Sequence, residues 1–78
     1  MTTGHKRLAL EEKVIKESGF SADIESLMTR MNDKHLDRNT KAFVVDVLHY
    51  YINKLETRYK VQMIETKRII NLYERQLK

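Results

Sequence analysis

Apolar side chains recur at helical spacing along most of the chain, and breaks in that rhythm divide it into segments. Leu10 and Val14 are four apart and Leu8 and Ile15 seven apart, so one broad face of a helix over about 8–18 is apolar. Gly19 ends it as a left-handed cap, and Phe20 falls where such a cap favours an apolar side chain folding back on Ile15. Ser21 is a candidate N-cap for the next helix, with Asp23 and Glu25 suited to the positive end of its dipole. Ile24, Leu27, Met28 and Met31 come after it at i, i+3, i+4 and i+7, predicting an amphipathic helix over about 22–34. The polar run Asn32-Asp33-Lys34-His35 frays its end, and Asp37 or Asn39 can cap a third helix.

Beyond Asn39 the pattern runs unbroken. Val45, Leu48, Ile52, Leu55, Tyr59, Met63, Thr66, Ile70, Tyr73 and Leu77 step by three or four residues, with no Gly or Pro between them. At 100° per residue they hold one stripe, which predicts a single helix over 40–77, about 55 Å long. The cluster Val44, Val45, Val47 would suit a strand in isolation, but the stripe outweighs it. Two shorter helices, roughly 15–20 Å each, cover only about half of such a stripe. The remainder is completed either by a second copy or by a turn near Thr57–Lys60 that folds a fourth helix back. Nothing at Thr57–Lys60 signals a turn, so the sequence favours pairing. The expected fold is all-α: two short helices on one long C-terminal helix, completed by dimerisation through Tyr59, Met63, Ile70, Tyr73 and Leu77.

Composition narrows the functional classes. The chain has 78 residues with no Cys, no Pro, no Trp and two Gly. One small domain is the economical reading, and a core this small needs packing quality or self-association rather than disulfides to support it. Structural zinc sites lose their commonest ligand, and two glycines are too few for a phosphate loop or a dinucleotide-binding turn. No apolar run approaches the ~18 residues of a membrane span. The start has basic residues but no apolar stretch of a secretory signal, so a cytoplasmic location is expected.

Chemistry is sparse. His5, His35 and His49 share no metal-ligand spacing. Glu11 and Glu12 are adjacent on a helix, point to different azimuths and read as solvated charges rather than an acid–base pair. Ser18, Ser21 and Ser26 have capping or surface explanations. The sequence therefore predicts no catalytic residue, no metal and no cofactor.

Charge is the remaining lead. The net charge is +4, and residues 1–35 are balanced, so the surplus lies in residues 36–78. Lys60, Lys67, Arg68, Arg75 and Lys78 project away from the apolar stripe, with His49, Asn53 and Asn71 on the same side. Such a face can track phosphates, although Lys/Arg-rich polar faces also serve solubility, and Glu56, Glu65 and Glu74 dilute this one. Residues 1–7, with Lys6 and Arg7, read as a mobile basic arm. Tyr51, Tyr59 and Tyr73 point to the apolar side and Tyr50 away from it.

Two segments superficially resemble DNA-binding motifs but depart from them. Val14 to Met28 resembles a helix-turn-helix, yet Ile24 and Leu27 are one residue out of place and Ile15 stands where alanine is expected. Ile24 to Ile52 resembles the paired helices of ribbon–helix–helix proteins, but Leu10 to Ser18 reads as helix where that family has a strand. The expectation is a small non-enzymatic dimeric regulator binding DNA through the basic face of its last helix. The alternative is a protein-binding regulator (an inhibitor, antitoxin or adaptor) acting through the apolar stripe of that helix.

Overall fold

A computed structural model of the chain describes the backbone of residues 3–78 and the side chains from Leu8 onward. It contains four helices, α1 (Thr3–Ser18), α2 (Ser21–Met31), α3 (Arg38–Tyr59) and α4 (Ile64–Gln76), and no strand among the described residues. The all-α class stands, and the single helix over 40–77 is corrected to two. Helix α1 also starts earlier than expected, at Thr3 rather than Leu8. The expected basic arm therefore does not precede α1 as a separate segment, and the side chains of Lys6 and Arg7 lie outside the described residues.

The first boundary arises from the chemistry of its residues. Gly19 has φ +84°, and its N–H donates to the Lys16 carbonyl. The Ser18 hydroxyl donates to the Ile15 carbonyl and accepts from the Phe20 N–H, so it closes α1. Ser21 is the first residue of α2 rather than its cap; Phe20 holds the cap position without a side-chain bond. Phe20 instead packs edge-on against Tyr51 of α3, with ring centroids 5.0 Å apart. Helix α2 ends at Met31, three residues short of the expected limit, as Asn32 turns its amide onto the Met28 carbonyl. Asp37 caps α3 by accepting from the Thr40 N–H. The Thr40 side chain, with that N–H adding to it, holds the Asp37 carboxyl below the usual aspartate value.

Helix α3 is the central element, packed against α1, α2 and α4. Its Val44, Val45, Leu48, Ile52 and Leu55 are buried, joined by Val14 of α1, Ile24 and Met31 of α2, and Met63 and Ile70. Fully burying a side chain of this size contributes roughly 1.5–3 kcal/mol.

The chain reverses after Tyr59. Lys60 adopts the left-handed conformation (φ 54°, ψ 45°), and α4 begins after a four-residue connection, 60–63. Two carboxylates make the break possible without Gly or Pro. Glu56, one turn before the end of α3, accepts from the Met63 N–H at 2.8 Å. Glu11 of α1 accepts from the Glu65 N–H at 3.0 Å, the Thr66 N–H at 2.7 Å and the Thr66 hydroxyl at 2.6 Å. The Met63, Glu65 and Thr66 amides at the start of the new helix are thus satisfied by side chains from elsewhere in the chain. Glu11 is fully buried, so its reading as a solvated charge is corrected: it is the N-cap of α4, supplied from α1.

Folding back consumes the expected dimer seam. Met63 and Ile70 are fully buried within one chain, while Tyr59, Tyr73 and Leu77 are partly buried and pack on the same core. The five residues assigned to a partner copy pack on the chain's own core instead. The physical reason is economy: α4 covers the bare half of the stripe without the loss of translational freedom that association requires.

A candidate nucleic-acid interface on α4

The side of α4 turned away from the core is set by the same period that buries Met63, Thr66 and Ile70. Ile64, Arg68, Asn71, Leu72 and Arg75 lie on that outer side and are exposed. A shallow groove of about 350 Å³ runs over it, lined by Ile64, Lys67, Arg68, Asn71, Leu72 and Arg75. Towards the start of α4 it continues into a concavity that Lys60 shares with Ile64 and Lys67. Towards the end it continues into one that Lys78 shares with Asn71 and Arg75. All five cations singled out in the sequence therefore lie on one continuous band, although Lys60 sits in the turn rather than on a helix.

The cations are not equivalent. Lys67 reaches back to α3 and meets Glu56 at 2.8 Å. Burial pushes the Glu56 carboxyl up, but the Lys67 ammonium and the Met63 N–H together outweigh it and hold the carboxyl below its usual value. Arg68 meets Glu65 at 3.4 Å, three residues back on the same helix, and its side chain is 66% exposed. A pair that open is worth about 0–1 kcal/mol and is readily exchanged for another anion. Lys60, Arg75 and Lys78 form no ion pair among the described residues. Glu74 borders the Lys78 end of the band and lies 3.4 Å from His49 Nε2 of α3, so His49 ties α4 to α3 rather than extending the band.

Other positions raised by the sequence lie apart from this band. Tyr51 is half-buried and donates to Asp23 at 3.3 Å; burial is the main reason its phenol is pushed up, with the Asp23 charge adding to it. Tyr50 is exposed on the outer side of α3 with Phe43, and Lys54 sits 5.6 Å from its ring. No three His, Asp or Glu side chains gather as a metal ion would require among the described residues. None of the helices, within those residues, is long and apolar enough to cross a membrane.

Sequence reasoning missed two residues of the site's framework. Glu56 sets the direction of Lys67, and Glu11 fixes the start of the helix that carries the band. The signal that could have found Glu11 is slight: a carboxylate three residues before Val14, on the side of α1 that faces inward. Searched against protein-family models, curated proteins and solved structures, the chain matches none.

Proposed function

We propose that the protein is a small non-enzymatic DNA-binding regulator that meets the duplex with the outer face of α4. The observation that carries this reading is the continuous band of Lys60, Lys67, Arg68, Arg75 and Lys78, three of which form no ion pair among the described residues. Phosphate neutralisation by such a band gives affinity without regard to sequence and releases counterions. The arrangement of α3, a four-residue turn and α4 also supports it, since a second helix presented after a short turn is a common way to offer side chains to a groove. One chain presents the whole band, and the residues expected to pair two copies pack on its own core.

The test is fluorescence anisotropy with a labelled duplex across a salt series. Five cations per chain, two already paired, predict a log–log slope of about −2.5 to −4.5. Arg68→Glu with Arg75→Glu should abolish binding and leave the helical circular dichroism intact. Lys67 is the wrong target for charge reversal, since a carboxylate there would face Glu56 and disturb the fold. Absence of binding to any duplex at low salt and micromolar protein would refute the reading.

A protein partner is the second reading, and one observation favours it. Phe43 and Tyr50 are 67% and 61% exposed on the outer side of α3, more open than any large apolar side chain of α4. The apolar stripe of α4 itself is covered, so a partner would engage α3 instead. A Phe43→Ala, Tyr50→Ala double variant that retains DNA binding but loses a function in cells would move the balance to this reading.

A further inference from the structure

We infer that α4 reads base edges in the major groove of B-form DNA through Arg68, Asn71 and Arg75, with Leu72 against a thymine methyl, so that binding is sequence-specific over about three base pairs. This rests on the DNA-binding reading above and adds to it which groups position and which specify.

The composition of the outer face separates it from one that merely tracks phosphates. Such a face needs cations alone, whereas the centre of this one combines two guanidinium groups, a carboxamide and an exposed aliphatic side chain. Arg68, Asn71 and Arg75 stand at i, i+3 and i+7, so they share a row on the helix. The seven residue steps from Arg68 to Arg75 span about 10.5 Å, matching about three base pairs at 3.4 Å each. A guanidinium donates twice to the O6 and N7 of guanine, and a carboxamide pairs with the N6 and N7 of adenine. Leu72 is 50% exposed beside them, an arrangement that gains nothing from water and fits a methyl group. Lys60, Lys67 and Lys78 lie along one edge of this row, where the groove wall presents its phosphates. The 10–12 Å diameter of a helix fits the major groove of B-DNA, about 12 Å wide, whereas the deep, narrow major groove of A-form RNA does not admit one.

Arg68 must leave Glu65 to reach a base. The 3.4 Å separation and 66% exposure make that exchange inexpensive, and Glu65 then disfavours phosphate on its own side of the helix, which helps orient the domain.

The experiment is selection from a randomised 20-base-pair duplex library with the full chain, followed by anisotropy on the enriched and scrambled duplexes. The expected result is a short guanine- and adenine-containing motif. Charge-conserving Arg68→Lys and Arg75→Lys, and Asn71→Ala, should each reduce discrimination roughly 5- to 150-fold while keeping the salt slope within one of wild type. Lys60→Ala and Lys78→Ala should instead weaken motif and scrambled duplexes equally. Duplex binding with no enriched motif, or a motif unchanged by these three variants, overturns this inference while leaving the DNA-binding reading in place. Absence of duplex binding overturns both.

Discussion

Removing the Glu11 carboxylate tests the junction on which the fold turns. In Glu11→Ala the Glu65 and Thr66 amides and the Thr66 hydroxyl lose their acceptor together, and Thr66 is buried. A buried donor left unsatisfied costs about 1–3 kcal/mol, and a carboxylate at a helix N-terminus contributes up to about 2 kcal/mol more. Against this, the variant no longer desolvates a buried charge, which costs several kcal/mol in the wild type. The balance is a loss of about 2–4 kcal/mol, a large share of the roughly 4–12 kcal/mol expected of a domain this size. Glu11→Gln should lose less, about 1–2 kcal/mol: its oxygen can still serve Thr66, but its NH2 then faces the Glu65 N–H, donor against donor. Urea unfolding monitored at 222 nm measures both, and amide exchange should show Glu65 and Thr66 losing protection first. Glu12→Ala, on the exposed neighbour, is the control and should stay within about 0.5 kcal/mol. If Glu11→Ala unfolds within about 0.5 kcal/mol of wild type, the cap does not hold α4 and the account of the reversal fails.

The same geometry gives three more expected outcomes. Lys60→Gly should raise stability by about 0.5–1 kcal/mol in the same urea assay, because glycine removes the left-handed strain at φ 54° and gives back part of the gain as chain entropy. Gly19→Val should lower it by about 1–2 kcal/mol through backbone strain alone, since an added Cβ meets nothing within 4 Å; an unchanged melting temperature would contradict that. Acid should weaken the fold: Glu56 and Asp37 have folded values below their unfolded ones, so their contribution is full above about pH 5 and is lost as pH falls through the folded values. Glu56→Gln should flatten that slope in urea midpoints taken between about pH 5 and pH 3.

The sequence shows the helices wherever a residue type announces its own backbone. Gly19 ends α1 because glycine adopts positive φ freely, and Asp37 caps α3 because its side chain has the reach to do so. Periodicity places Val45, Leu48, Ile52 and Leu55 in the core correctly for the same local reason. It fails at Lys60, since lysine carries no turn signal and the break preserves phase. Tyr59 and Met63 are four apart on either side of the turn, and both still face the core, so the stripe reads as one helix. The bonds that decide the matter link Glu11 to Thr66 and Glu56 to Met63, and no local spacing rule reveals the first. The basic band was legible because the polar side of α4 is fixed by its buried side. The neutralisation of Lys67 by Glu56 was not, because the two are neighbours only once the chain has reversed.

The turn at 60–63 also governs how the chain can exchange parts with its copies. Were residues 60–63 all to take up helical φ and ψ, α3 would run straight into α4 and carry it away from its own core. Another chain opened in the same way offers the identical vacancy, with its own Glu11 awaiting Thr66 and its own Leu55 and Ile52 uncovered. The swapped pair would regain the packing of α4 on the core, give up the Glu56–Met63 bond of the turn and shed about 1–2 kcal/mol of left-handed strain per chain, at the cost of association. In such an exchange, protein concentration and the residue at position 60 would set the balance between the closed chain and a swapped pair, and glycine there would favour the closed chain.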